Sequence, residues 1–311
     1  MLDVRRLRVL KEVAIRGSFS AAAEALSYTQ PAVSQQVAAL EREAGTVLVR
    51  RSARGVRLTE AGEVLVSHAE AILSRLAEAE ADLQALTGVQ AGRLRLMAFD
   101  SAGATIMPPA IARLRERHPG IEVTLEPGEG DAATAAVRAG DVDVALDVSW
   151  PGRRAADDGV QRTFLLDDPM YVVLPAGHPL AGRARVRLAD LAGEQWITGT
   201  PNAACSDSQI LVGACVAAGF DPRIAFHSED YNAIQGFVAA GVGLSLIPDL
   251  ALVSVRDDVV VRSLGARPPY RVIEAMTAEG FRTPVKQAAL DVLVEVGAEF
   301  AGRNSALALA S

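Results

Sequence analysis

The chain has 311 residues, half of them apolar, a formal charge of −7 and a mean hydropathy of +0.20. This composition excludes a disordered polymer, and chains of this length divide into two or three units rather than one core. No uninterrupted apolar run reaches the roughly 20 residues of a membrane span; the richest, from Phe237 to Pro248, is broken by glycines and Ser245. The opening residues alternate charged and apolar side chains without the apolar centre of a signal peptide. Two cysteines, Cys205 and Cys215, cannot build a disulfide framework. A soluble, cytoplasmic protein is expected, with no membrane partner.

The charge is unevenly divided. Residues 1–58 carry Arg5, Arg6, Arg8, Lys11, Arg16, Arg42, Arg50, Arg51, Arg54 and Arg57 against Asp3, Glu12, Glu24, Glu41 and Glu43, a balance of +5. The rest of the chain is left with 21 of the 31 basic and 33 of the 38 acidic groups, a balance of −12. A small basic head on a large acidic body points to a nucleic-acid module joined to something else.

In the head, Leu7, Leu10, Val13 and Ala14 follow the helical period, so residues 3–15 read as a helix ended by Gly17. A short second helix of small residues, about 20–26, follows a cap at Ser18 or Ser20. Pro31 opens a third helix, where its missing N–H costs nothing. Val33, Val37, Leu40 and Ala44 bury one stripe of that helix and leave Pro31, Ser34, Gln35, Ala38 and Arg42 on the other. Glutamine can read an adenine edge, and serine or threonine can reach bases or phosphates. Two short strands, Val47–Arg51 and Gly55–Leu58, flank the turn Ser52-Ala53-Arg54, whose arginine suits a phosphate or the minor groove. Short helix, tight turn, proline-started helix and basic hairpin together read as a winged helix-turn-helix.

Phe19-Ser20-x-Ala22-Ala23-x-x-Leu26, Thr29-Gln30-Pro31-Ala32-Val33-Ser34, Leu40-Glu41, Gly45, Leu48, Arg51 and Leu58-Thr59-x-Ala61-Gly62 resemble the amino-terminal signature of LysR-type transcriptional regulators. Val49 departs from it, standing where that family usually has phenylalanine. The resemblance implies that Thr29, Gln30, Pro31, Ser34 and Gln35 face DNA, with Arg51 and Arg54 in the wing; Ser18 is counted with them.

From Thr59 to about Thr87 there is no proline, and Leu65, Ala69, Ile72, Leu76, Ala79, Leu83 and Leu86 alternate four and three apart. That heptad seam suits a helix pairing with a second copy, as a twofold DNA site demands. Leu65, Ile72, Leu76, Leu83 and Leu86 are its expected dimer contacts. A hinge is expected at residues 88–92.

Residues 93–303 alternate strand-like and helix-like pieces, as in a largely parallel sheet covered by helices. Two such sets, with a closing helix over 283–300, suggest two lobes around a cleft. This body resembles the family's effector domain, similar to a type 2 periplasmic binding protein, with Asp141-Val142-Asp143-Val144-Ala145-Leu146 and Gly241-Val242-Gly243-Leu244-x-x-Ile247-Pro248 at the matching places. The fold class expected is therefore α+β and multidomain. It comprises a winged helix-turn-helix (1–58), a linker helix (59–88) and a two-lobed α/β effector domain (92–303), with a tail (304–311). Lobe I would take 92–162 and 268–303, and lobe II 163–267.

Ligands of open α/β sheets lie beyond the carboxyl ends of strands. Three loops there offer hydroxyls and free N–H groups: Asp100 to Thr105, with Ser101, Ala102 and Thr105; Asp147 to Ser149; and Thr198 to Asn202, with Thr200, Pro201 and Asn202. The segment Ser228 to Asn232, with Tyr231, is a fourth candidate. Asp100 would oppose a bound anion, so the ligand's charge stays open.

Other signals weigh less. Gly128-Glu129-Gly130-Asp131-Ala132-Ala133 fits a loose dinucleotide pattern, but its carboxylates would repel a pyrophosphate. The four histidines have no metal-ligand spacing, and no Gly-x-Ser-x-Gly elbow appears, so neither a metal nor a catalytic residue is assigned. One branch of the resembled family senses peroxide through a disulfide near Cys205 and Cys215, yet Cys215 sits in an apolar helical run and Asp207 opposes a Cys205 thiolate. The expectation is a non-enzymatic regulator without a cofactor. Its expected partners are double-stranded promoter DNA, a small-molecule effector, a second copy of itself and RNA polymerase, and the resemblance implies a tetramer assembled from two dimers. A thiol-based regulator of the same family and a solute-binding protein are the alternatives.

Overall fold

A computed structural model describes residues 2–52, 55–86, 92–151, 159–200, 206–265, 267–280 and 283–310. The chain divides into an amino-terminal unit and a larger one.

In the first unit, the Asp3 carboxylate caps α1 (Val4–Arg16) by accepting the Arg5 N–H at 2.7 Å, and Gly17 at φ +60° closes it. The helix buries two stripes. Val9 and Val13 pack with Phe19, Ala22, Ala23, Val33 and Val37, whereas Leu7 and Leu10 pack with Leu40, Leu48 and Ala69. Val9 lies outside the single stripe that spacing predicts, because α1 is covered from two sides.

α2 (Phe19–Ala25) is capped by the Ser18 hydroxyl. Its end is unusual: Ser27 takes φ +55°, a conformation glycine usually supplies, and the Tyr28 N–H closes on the Ala23 carbonyl at 2.8 Å. That left-handed step costs about 1–2 kcal/mol for a side chain with a Cβ, and it turns the chain sharply into α3 (Gln30–Ala44). Thr29 caps α3, Pro31 lies in its first turn and Gly45 ends it.

The hairpin β1 (Val49–Ser52) and β2 (Gly55–Leu58) is antiparallel. Glu41 anchors it to α3, its carboxylate accepting the N–H groups of Leu48 at 2.8 Å and Val49 at 3.2 Å. The Gly17 carbonyl accepts the Val56 N–H at 2.8 Å. A Cβ on Gly55 would stand 2.6 Å from that oxygen, so the position excludes other residues. α4 (Glu60–Leu86) follows, with Thr59 bonded to the Val47 carbonyl at 2.7 Å.

The larger unit is built on one mixed sheet in the order β10-β6-β11-β5-β3-β4, with β9 also pairing β6. β3 (Gly92–Ala98) pairs in parallel with β4 (Ile121–Pro127) and β5 (Val144–Ser149). Asp143, 7 % exposed, ties this layer together: it accepts the Arg95 N–H at 2.8 Å, takes the Arg95 guanidinium in a fork at 3.0 and 3.1 Å, and lies 3.6 Å from the Lys286 amine.

β6 (Val160–Pro175) is the organising strand. Spacing predicts a strand only over 170–174, because the residues before it mix apolar and charged side chains. Up to Pro169 it pairs antiparallel with β11 (Tyr270–Ala278). From Met170 it pairs with β9 (Ser245–Pro248) and β10 (Val259–Arg262). The change of partners falls seven residues beyond the lobe division expected at 162/163. Two clusters flank it: one around Leu94, Leu96, Leu114, Leu146, Ile273 and Leu290, the other around Trp196, Val172, Leu211 and Leu246. The second lobe adds the parallel pair β7 (Gln195–Thr198) and β8 (Arg223–His227), with α8 (Ser206–Ala217) and α9 (Tyr231–Ala239).

The first lobe carries α5 (Asp100–Thr105), α6 (Met107–Arg117), α7 (Gly130–Ala139) and the closing α10 (Pro284–Ala310). The Asp100–Thr105 segment is thus one short helix, not the loop that its small polar composition suggests. No helix among the described residues is long and apolar enough to cross a membrane.

Candidate functional site

α3 presents its polar face as the spacing predicts. Val33, Val37 and Leu40 are buried, while Thr29, Gln30, Pro31, Gln35, Ala38 and Arg42 are exposed and Ser34 is half-buried. Ser18 and Thr29 each use their hydroxyl oxygen as a helix cap, accepting from Ala21 and Ala32 at 3.4 Å. Arg51 lies in β1, and Arg54 lies outside the described residues. A proline-started helix with an exposed polar face, beside a two-stranded wing, has the geometry of a major-groove reader.

The expected seam of α4 divides into two parts. Ala69 is buried and Leu65 half-buried against Leu7, Leu10 and Leu48 of the same chain. Farther along, Ile72, Leu76 and Leu83 are exposed, a stripe that nothing in the chain covers among the described residues. Leu86 ends the helix.

In the larger unit the residues of interest meet at Arg271. Its side chain is 2 % exposed yet charged. Nε donates to Asp168 Oδ2 at 2.8 Å, Nη1 to Asp207 Oδ1 at 3.2 Å and Nη2 to Ser101 Oγ at 2.7 Å. The Phe99 ring lies under the guanidinium, 5.1 Å away. Asp168 also accepts the Leu250 N–H at 3.1 Å, and Tyr231 donates its hydroxyl proton to Asp207 at 2.6 Å. Burial, and then the Asp207 charge, hold the Tyr231 phenol well above its ordinary pKa, so it stays a donor. Asp207 stands in the first turn of α8, where the helix dipole favours a carboxylate.

One guanidinium therefore joins α5 of the first lobe, the point where β6 changes partners, and α8 of the second. A charge this deep persists only because every neighbour offsets part of its desolvation.

Beside this network the second lobe opens a small pocket. Its polar wall is Thr198, Asp207, Ser228, Glu229, Tyr231 and Ser245, with Ile234 and Leu246 as apolar lining. Ser245 donates its proton to the Ile197 carbonyl at 2.8 Å, and Glu229 accepts the Thr200 N–H at 2.8 Å.

The sequence-predicted residues are distributed unequally around this centre. Ser101 and Tyr231 join it through Arg271 and Asp207. Thr200 reaches its edge through Glu229, and Ser149 ends β5 half-buried, paired with Val272 next to Arg271. Two further residues use their side chains within the first lobe. Ala102 is fully buried in the first-lobe core, and Thr105 gives its hydroxyl to the Ser101 carbonyl at 2.6 Å. Helix formation is the reason, since it points successive residues of α5 in different directions. Pro201, Asn202 and Cys205 lie outside the described residues.

Sequence reasoning passed over Arg271 and Asp168. The signal was there: each charge falls in the buried phase of its strand, in step with Ile273 and Ala275 or with Leu166 and Met170. The two oppose each other in register.

Cys215 is fully buried in α8, and burial pushes its thiol up to about 12. At neutral pH it is a small apolar side chain without thiolate character.

A winged helix-turn-helix joined to a two-lobed α/β domain with a small polar pocket is the architecture of a DNA-binding regulator with an effector domain. The lysR-family bacterial regulatory helix-turn-helix model matches residues 4–63, and the LysR substrate-binding domain model matches residues 87–298. The chain belongs to the LysR-type transcriptional regulators. It is similar to the probable regulator LrrA of Synechococcus elongatus, 32% identical over 305 residues that cover 96% of this chain and 98% of that one. Among solved structures it resembles a full-length OxyR variant from Pseudomonas aeruginosa, with a TM-score of 0.74 and 24% identity over 96% of this chain and 95% of that chain. It also resembles full-length CbnR complexed with its target DNA, with a TM-score of 0.67 and 23% identity over 95% and 100% of the two chains.

Proposed function

We propose that the chain regulates transcription through promoter DNA read by α3, and that a small molecule in the cleft beside Arg271 changes how the reading heads are presented. In this reading Thr29, Gln30, Pro31, Ser34 and Gln35 meet the major groove, while Ser18, Arg51 and Arg54 meet the backbone or the minor groove. Ile72, Leu76, Leu83 and Leu86 pair α4 with a second copy, and two such dimers form a tetramer that contacts RNA polymerase in the cytoplasm. Residues 1–58 act as the reader, 59–88 as the linker and 92–303 as the sensor. No reaction is assigned to the protein.

The observation that carries the sensor half is the Arg271 guanidinium, which holds Ser101 of one lobe and Asp207 of the other. A ligand transmits a signal only if it binds one arrangement of the lobes better than another. A group at the crossover that both lobes share is where such a difference can arise. Cys215, buried and protonated, favours a metabolite over a thiol-disulfide signal.

Footprinting and gel retardation on the DNA upstream of the protein's own gene test the reading. Two protected half-sites about one helical turn apart are expected, with retardation at ~100 mM salt and micromolar protein. No retardation under those conditions overturns it.

A further inference from the structure

We propose that the effector carries a protonated amine or guanidinium group, which the second-lobe pocket seats between the carboxylates of Asp207 and Glu229 with the Thr198 hydroxyl as a further acceptor. This rests on reading the cleft as the effector site and names the ligand's chemistry.

The hydrogen-bond inventory of the pocket carries the inference. Its acceptors outnumber its donors. Asp207 and Glu229 can only accept; Asp207 already accepts from Arg271, Ser206 and Tyr231, whereas Glu229 accepts only the Thr200 N–H among the described residues and keeps most of its capacity. Of the hydroxyl protons on the wall, that of Tyr231 is committed to Asp207, that of Ser245 to the Ile197 carbonyl and that of Ser228 to the Asp230 carbonyl at 3.5 Å, which leaves the Thr198 hydroxyl, a donor as well as an acceptor. Thr198 is 5 % exposed, lines the pocket and has no side-chain hydrogen bond among the described residues. Such a wall is satisfied by a ligand rich in N–H donors and left unsatisfied by one rich in oxygens.

Charge leads to the same class. Arg271 is matched by Asp168 and Asp207, so Glu229 remains as unbalanced negative charge on the pocket. Glu129 feels the same field: partial burial, followed by the carboxylates of Asp207 and Glu229, holds its carboxyl above the ordinary range against the opposing pull of Arg271. A carboxylate or phosphate ligand would enter against this potential, whereas an ammonium would relieve it. A cation that takes a share of Asp207 also competes with Arg271 for it, which links occupancy of the pocket to the contact between Arg271 and Ser101.

Isothermal titration and thermal shift on the full chain, at matched ionic strength, compare 1,4-diaminobutane and ethylammonium with succinate and benzoate. The amines are expected to bind and raise Tm. Glu229→Gln, which keeps an acceptor for the Thr200 N–H, should weaken amine binding about tenfold without lowering the ligand-free Tm. Thr198→Val should weaken it several-fold. Carboxylates that bind while amines do not would overturn the ligand class and leave the cleft reading standing. Amine binding unchanged by both substitutions would overturn the pocket. No shift with either class would overturn the cleft reading along with the proposal.

Discussion

Ser101 and Arg271 are 170 positions apart in the chain, and the serine hydroxyl oxygen accepts from the arginine guanidinium at 2.7 Å. The serine expected to meet a ligand meets an arginine of its own chain, and that arginine extends the contact to Asp207 of the other lobe. Anything that loosens Arg271 therefore touches both lobes.

Removing the guanidinium leaves Asp168, fully buried, without its counter-charge. Arg271→Met is expected to cost about 3–5 kcal/mol in urea unfolding of the full chain. Coupling it with Asp168→Leu should recover much of that loss, since the orphaned carboxylate is then gone. A single-variant cost below about 1 kcal/mol would contradict a structural ion pair.

Glu41 holds the wing through two backbone N–H groups. Glu41→Ala strands both and should cost about 1–3 kcal/mol, while Glu41→Gln keeps an acceptor and costs less. Thermal unfolding compares the two, and gel retardation should show weaker DNA binding wherever the wing has loosened.

On α4, exposed Ile72, Leu76 and Leu83 contrast with Leu65, which packs on its own chain. Ile72→Glu with Leu76→Glu should shift sedimentation from dimer to monomer at micromolar concentration with little change in secondary structure. Leu65→Ala should instead leave the oligomer intact and lower stability by about 2 kcal/mol. If both variants dissociate the protein, the division of the seam is wrong.

Gln35 is exposed on the face of α3 opposite its buried stripe. Gln35→Ala should reduce the preference for the specific site by about 1–3 kcal/mol and leave random-DNA affinity nearly unchanged. Arg54→Ala should weaken binding to any DNA and lower the salt dependence by about one charge. Competition titrations with specific and random duplexes separate the two behaviours.

The Cys215 thiol should resist alkylation in the native protein and react once urea unfolds it. Its folded pKa, about 12, lies above the roughly 8.5 of an exposed thiol. Burial thus contributes stability that is complete below the unfolded value and is lost as pH rises from roughly 8.5 to about 12. Urea midpoints across that range should fall less steeply for Cys215→Ala than for the parent, other titrating groups being common to both.

Much of the amino-terminal unit is legible along the chain because its determinants are local. The caps at Ser18 and Thr29, Pro31 in a first turn, and the spacing of Val33, Val37 and Leu40 act within a few residues of one another. The body is less legible where one residue has two partners. The first half of β6 reads as irregular in sequence and becomes a strand because β11 supplies its ladder. Asp100–Thr105 reads as a loop and becomes a helix when Phe99 and Ala102 are buried in the first-lobe core. Of the cleft, Ser101 and Tyr231 were visible as hydroxyls at strand-to-helix junctions. Asp207 appeared only as a neighbour of a cysteine, and Arg271 as one charge in a strand.

The sequence by itself determined a basic amino-terminal unit joined to an acidic body, the family to which both belong, and which face of α3 is polar and exposed. It did so because charge, periodicity and capping are properties of neighbouring residues. Tertiary structure alone decided that Arg271 lies between Asp168, Asp207 and Ser101, that Leu65 packs inward while Leu83 stays exposed, and that Asp207 and Glu229 line one pocket. Those relations depend on which strands pair and on where each side chain's hydrogen-bonding capacity is used, and neither is written in the spacing of residues along the chain.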